Sequence, residues 1–113
     1  MTLADKKCEP CSGETPPMAA DQAEKMLENL SDGWTLKDNS SKLFKSFKFK
    51  NFKRAFAFVS KIADLAEEQG HHPNIHFTWG LVELEIWTHA ISGLAEADFI
   101  MAAKADRALS EMK

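Results

Sequence analysis

All four histidines of this chain fall between positions 71 and 89: His71 and His72 adjacent in Gly70-His71-His72-Pro73, then His76, then His89. An imidazole, with an unperturbed pKa of about 6.5, both gives and takes protons near neutrality. Histidines in structural roles would be scattered, whereas gathering all of them into one stretch points to proton-transfer chemistry. Glu67 lies four residues before His71, about one helical turn away, where a carboxylate can orient or tune an imidazole. Two or three imidazoles and a carboxylate around one pocket suit general acid–base catalysis with a separate donor and acceptor.

The elements that position these residues follow from the spacing of apolar side chains. A helix starts near Ala19 or Ala20 and runs to Leu30 on the stripe Ala23, Met26, Leu27 and Leu30, and Ser31-Asp32-Gly33 ends it. Trp34-Thr35-Leu36 begins a strand, Asp38 to Ser41 make a turn, and Leu43 to Lys50 form a second strand. Phe47 and Phe49 point to one side of it, Lys48 and Lys50 to the other. Asn51 caps a long helix to about Gln69, with the stripe Phe52, Ala55, Phe56, Val59, Ile62, Ala63 and Ala66. Gly70 suits the position just past the helix end, and Pro73 forbids continuation, so His71 and His72 start a loop.

Asn74 to Trp79 and Leu81 to Thr88 read as a strand pair joined at Gly80, with Val82, Leu84 and Ile86 on one face and Glu83, Glu85, Trp87 and His89 on the other. In a hairpin the start of the first strand lies beside the end of the second, which brings His89 near His72. A last helix runs from about Ala95 to Met112. The order α-β-β-α-β-β-α, with short turns between consecutive strands, predicts an α+β fold: four strands in an antiparallel sheet, helices packed on one face.

The chain has 113 residues, 44% of them hydrophobic, enough for one domain with a real core. A flexible tail over residues 1–17 and a single domain over 18–113 are expected. The net charge of −3 exerts no global pull towards nucleic acid or anionic membrane. No apolar run approaches the roughly 18 residues of a membrane span, and Met1 to Lys7 does not read as a signal peptide, so a cytoplasmic protein is the expectation. Cys8-x-x-Cys11 is half of a zinc ribbon at most, and it lies in a polar stretch ending in Pro16-Pro17 instead of at a strand-to-helix junction.

Other readings of the same residues stand beside acid–base chemistry. His72 and His76 have metal-pair spacing, but Pro73 makes the segment extended, leaving them roughly 13 Å apart; His71, His72 and His89 stay open as a three-histidine zinc set. His76 alone fits an exposed strand residue. Lys42 to Lys61 carries seven cations and no acid, interleaved with phenylalanines, a pattern compatible with nucleic acid. The phenylalanines fit core positions and the lysines solvated faces, which favours an ordinary fold surface.

One family is resembled closely. Glu67-x-x-x-His71-His72-Pro73, five residues, Trp79, nine residues, His89, eight residues, Asp98 is similar to the pattern of the pterin-4a-carbinolamine dehydratases. Gly33-Trp34, Phe47-x-Phe49-x-x-Phe52-x-Arg54-Ala55-Phe56 and Thr88-His89 with Gly93-Leu94 extend the likeness over roughly residues 20 to 110. Gly70 stands where the family commonly has an acidic residue, Ile75 where Trp is frequent, and the cysteine tail lies outside the pattern.

The resemblance implies a homodimer or homotetramer that dehydrates 4a-hydroxytetrahydropterin to quinonoid dihydropterin, recycling the cofactor of an aromatic amino-acid hydroxylase. No metal or organic cofactor is implied; the pterin is the substrate. By the same resemblance His71, His72 and His89 are catalytic, His71 and His89 sharing acid and base roles, while Glu67 supports the first histidine. Pro73, Thr88, Ala90 and Ile91 join the histidines in holding the pterin, and Trp34 helps wall the pocket. A non-catalytic regulatory or assembly-factor role on the same fold is the alternative.

Overall fold

Alternation along the strands decides which way this sheet faces. In the computed structural model, which describes residues 3–6, 16–31 and 33–112, the order is α1 (Ala20–Leu27), β1 (Thr35–Lys37), β2 (Lys42–Lys48), α2 (Phe52–Gln69), β3 (Asn74–Thr78), β4 (Leu81–Ile86) and α3 (Glu96–Glu111). A single turn of 3-10 helix over Leu3–Asp5 precedes them, and another over His89–Ile91 follows β4. The four strands form one antiparallel sheet in the order β1-β2-β4-β3. Leu43 pairs with Ile86 and Phe47 with Val82, so these side chains share the face that the helices cover. Phe58, Ile62, Phe99 and Met101 close over them, all fully buried. The expected α+β architecture is the observed one.

Three local expectations change. The stripe read on α2 is rotated from the one the core uses. Ala55, Phe58, Ile62 and Ala66 are buried, whereas Phe52 and Phe56 are 52% and 55% exposed and Ala63 is exposed. Two overlapping stripes run along this helix, and periodicity alone does not say which meets the sheet. Phe52 and Phe56 instead stack against Phe77 at the sheet edge, ring centroids 4.9 and 6.3 Å away.

Lys45 also departs from the solvated pattern. It sits between Leu43 and Phe47 on the core face of β2, and its ammonium pairs with Asp106 of α3 at 2.8 Å. The same carboxylate accepts from Trp34 Nε1 at 2.8 Å and from the Ser31 hydroxyl at 2.6 Å. A largely buried cation is tolerable because it is both paired and hydrogen-bonded.

The third change concerns the expected tail. Ala4 is buried on α3, with its carbonyl accepting from Lys104 Nζ, and Asp5 pairs with Arg107. Further on, the Met18 N–H donates to the Leu94 carbonyl at 2.8 Å. Cys8 and Cys11 lie outside the described residues.

Candidate active site

The turn after α2 aims the first histidine. Gly70 takes the left-handed conformation, φ 64°, that a residue without Cβ adopts at no steric cost, and its N–H bonds back to the Ala66 carbonyl. His71 N–H reaches the same carbonyl at 3.2 Å, which ends the helix and swings the imidazole off its axis. Pro73, half-buried, then leads into β3. The hairpin register sets Asn74 opposite Glu85, so the residues just before β3 lie alongside those just after β4.

Asp98 ties the two ends together. His71 Nε2 lies 2.7 Å from Asp98 Oδ1, and Thr88 Oγ1 donates to Asp98 Oδ2 at 2.8 Å. The Ala95 N–H donates to that second oxygen as well, also at 2.8 Å, so Asp98 caps the first turn of its own helix while holding the histidine. The carboxylate is fully buried. Since a carboxylate only accepts, the proton on His71 Nε2 points at Asp98, leaving Nδ1 as the ring nitrogen open to a ligand. Such an arrangement fixes both tautomer and ring orientation.

The other two histidines are placed more openly. His72 Nε2 meets Glu67 Oε2 at 2.6 Å on the exposed rim. Glu67 therefore supports the second histidine, not the first as expected, because the left-handed turn at Gly70 rotates His71 towards α3 and leaves His72 facing back along α2. His89 stacks its ring on Trp87, centroids 4.3 Å apart at 22°, with the Lys42 ammonium 4.4 Å from the Trp87 ring. It is exposed, and follows directly on Thr88, which shares Asp98 with His71. Thr88 and Gly93 pair across the loop that carries His89, exposed Ala90 and half-buried Ile91.

Trp34 does not join this group. It is buried against Phe47 and hydrogen-bonded to Asp106, eight residues beyond Asp98 on α3, so it serves the core, and the cleft it borders, with Leu27, Leu30 and Gly33, contains none of the histidines. His76 is exposed on the open face of the sheet opposite Glu83, as a plain strand residue would be. Among the described residues no three His, Cys, Asp or Glu side chains are grouped to hold one metal ion, nor is any helix long and apolar enough to cross a membrane. The residue that reading for site chemistry missed is Asp98. It closes the spaced pattern, yet its contact with His71 spans 27 positions and depends on how α3 packs.

A four-stranded antiparallel sheet with three helices on one face, and a histidine pair anchored by two carboxylates at its end, defines a small α+β domain. The sequence profile of the pterin 4 alpha carbinolamine dehydratases matches residues 16–108, and the chain belongs to that family. It is 45% identical over 109 residues to a relative from Alkaliphilus metalliredigens, covering 96% of this chain and 97% of the relative. It is 46% identical over 110 residues to one from Methylococcus capsulatus, covering 97% and 96%. Both carry the provisional name pterin-4-alpha-carbinolamine dehydratase.

Among solved structures, a transcriptional coactivator/pterin dehydratase from Brucella melitensis superposes with a TM-score of 0.76 at 33% identity, covering 81% of this chain and 97% of that one. A pterin dehydratase-like protein identified as a RuBisCO assembly factor in the alpha-carboxysome superposes at 0.60 with 32% identity, covering 67% and 88%.

Proposed function

We propose that the chain dehydrates 4a-hydroxytetrahydropterins by histidine general acid–base catalysis. The observation that carries this is the His71–Asp98–Thr88 arrangement, since a buried carboxylate holding one imidazole nitrogen is what a proton-transferring histidine needs and a surface histidine does not. In the reaction the C4a–O bond breaks and the N5–H proton leaves, giving a C4a=N5 double bond and one water. His71, with Nδ1 open and Asp98 behind it, takes the N5 proton. His89 delivers a proton to the departing oxygen, and the pair is reset by exchange with solvent. His72, held by Glu67, and the Pro73 and Thr88–Ile91 backbone bind the ring. The pterin is the substrate, and this route draws on no further cofactor; the product feeds the reductive recycling that an aromatic amino-acid hydroxylase requires.

The test is the rate of 4a-hydroxytetrahydropterin dehydration followed by absorbance with a chelator present. His71→Ala and His89→Ala should each lower it by about 10²–10⁴-fold. A wild type no faster than buffer would sink the reading. A second reading, a non-catalytic assembly or regulatory protein, draws on the aromatic patch of Phe52, Phe56 and Trp79 and on what the two superposing structures are said to do. It would be preferred if the biological role survived both alanine substitutions while dehydration was lost. We further propose that the same patch, beside the edge strand β3, is where copies of this chain associate as a homodimer or homotetramer.

A further inference from the structure

At the end of the sheet away from the histidines, a groove of about 530 Å³ lies between the end of β2, the start of α2 and the last turn of α3. Lys48, Lys50 and Arg54 form its rim, and Phe49, Leu109 and Met112 its apolar floor. It is separate from the histidine site: β2 pairs through Leu43 with Ile86 at one end and through Lys48 with Leu81 at the other, about 17 Å along the strand.

The acid-free run of cations in the sequence sorts itself here. Lys42 pairs with Asp38 at 3.1 Å, and Lys45 is consumed by Asp106. Lys61 lines a different cleft with Asp64 and Glu68. Four remain: Lys48, Lys50, Lys53 and Arg54, all exposed, and none forms an ion pair among the described residues. Arg54 is steadied by a 3.3 Å bond from Nη2 to the Met112 carbonyl, which spans the groove. In a chain of net charge −3, this is a local concentration of positive charge with no internal counterpart among the described residues.

The floor decides the class of occupant. Phe49, half-buried and packed on Phe58 with centroids 5.3 Å apart, is the one aromatic ring in the groove lining, whereas a single strand needs a series of exposed rings on which successive bases stack. No exposed large apolar side chain projects from the groove lining, as insertion into a membrane interface would need. A hollow with an apolar floor and a cationic rim fits a short segment bearing carboxylates and one or two aliphatic side chains. We propose that this groove docks an acidic, leucine-bearing segment of a protein partner, Lys48, Lys50 and Arg54 meeting its carboxylates and Phe49, Leu109 and Met112 its apolar side chains.

The probe is a synthetic peptide, Glu-Leu-Glu-Ser-Leu-Glu, titrated into the isotopically labelled full chain and followed by backbone-amide NMR. Saturable shifts confined to residues 48–54 and 109–112 are expected at millimolar or lower peptide, fading as salt approaches about 1 M. The double variant Lys48→Glu with Lys50→Glu should weaken binding by about tenfold while far-UV circular dichroism and pterin dehydration stay as in wild type. The salt titration tests the wild type directly, should the variant fail to fold. Absence of saturable shifts at millimolar peptide, or equal binding of Lys-Leu-Lys-Ser-Leu-Lys, would overturn the proposal. So would oligothymidylate or phosphatidylserine vesicles occupying the groove while the acidic peptide does not.

Discussion

Replacing the Asp98 carboxylate by an amide changes what faces His71 without changing its size. The amide introduced by Asp98→Asn can turn its NH₂ towards the ring, which then must present an acceptor nitrogen there and carry its proton on the side meant for the substrate. Asp98→Asn should therefore lower kcat for pterin dehydration by about 10²–10⁴-fold and leave KM within a few-fold, because the ring-binding residues are untouched. A KM change with kcat intact would mean that Asp98 only holds the loop. Thr88→Val asks the structural question separately. It removes one donor from a buried oxygen that keeps the Ala95 N–H, at a cost of roughly 1 kcal/mol, which thermal unfolding would register as a drop of about 4–8 °C for a domain of this size. The histidines were legible because residue type and clustering carry the chemistry on their face. Asp98 was visible only as the last position of a spaced pattern, and its role was not, since nothing local marks an aspartate as the partner of a residue 27 positions earlier.

At the scale of elements, the site depends on how α2 stops. Gly70 has open space where a Cβ would go, so the constraint is its φ of 64° and not crowding. Gly70→Ala should cost about 1–2 kcal/mol, read as a shifted denaturation midpoint with unchanged slope. It should also reduce dehydration at temperatures where the protein stays folded, because the same turn orients His71. Unchanged stability would mean that the turn relaxes to another geometry. The end of this helix was readable from Gly70 and Pro73, and its start from Asn51, whose side chain accepts from the Arg54 N–H at 2.9 Å; caps and breakers act through adjacent backbone. Its buried face was readable in part: Ala55, Ile62 and Ala66 are buried as the stripe placed them, but Phe52 and Phe56 obey the helical period as well as the buried Phe58 does. Lys45 was misjudged for a related reason: alternation places it inward, but only the fold supplies Asp106 to receive it.

For the molecule as a whole, hairpin pairing and helix order followed from turns and periodicity, whereas the placing of β2 beside β4 and the docking of Leu3–Asp5 on α3 join residues too distant for local patterns to specify. The aromatic patch belongs to this scale. Phe52, Phe56 and Trp79 are 52%, 55% and 65% exposed, with Ile75 at 37% beside them. With side-chain areas of about 150–250 Å² each, the three rings alone present roughly 350 Å² of apolar surface, as large as patches that usually mark an interaction site. They flank β3, whose outer edge has no strand partner among the described residues. Two copies meeting about a two-fold axis would cover both patches and both edges at once, and the buried surface can then reach the roughly 1,200 Å² of a specific interface. Sedimentation velocity on the 12.7 kDa chain should give at least twice that mass at micromolar concentration, and Phe56→Glu should shift it to the monomer. The substituted residue is already half-exposed, so the monomer should keep its fold by circular dichroism. A wild type that stays monomeric across micromolar concentrations would remove self-association from the account and leave the patch to another partner.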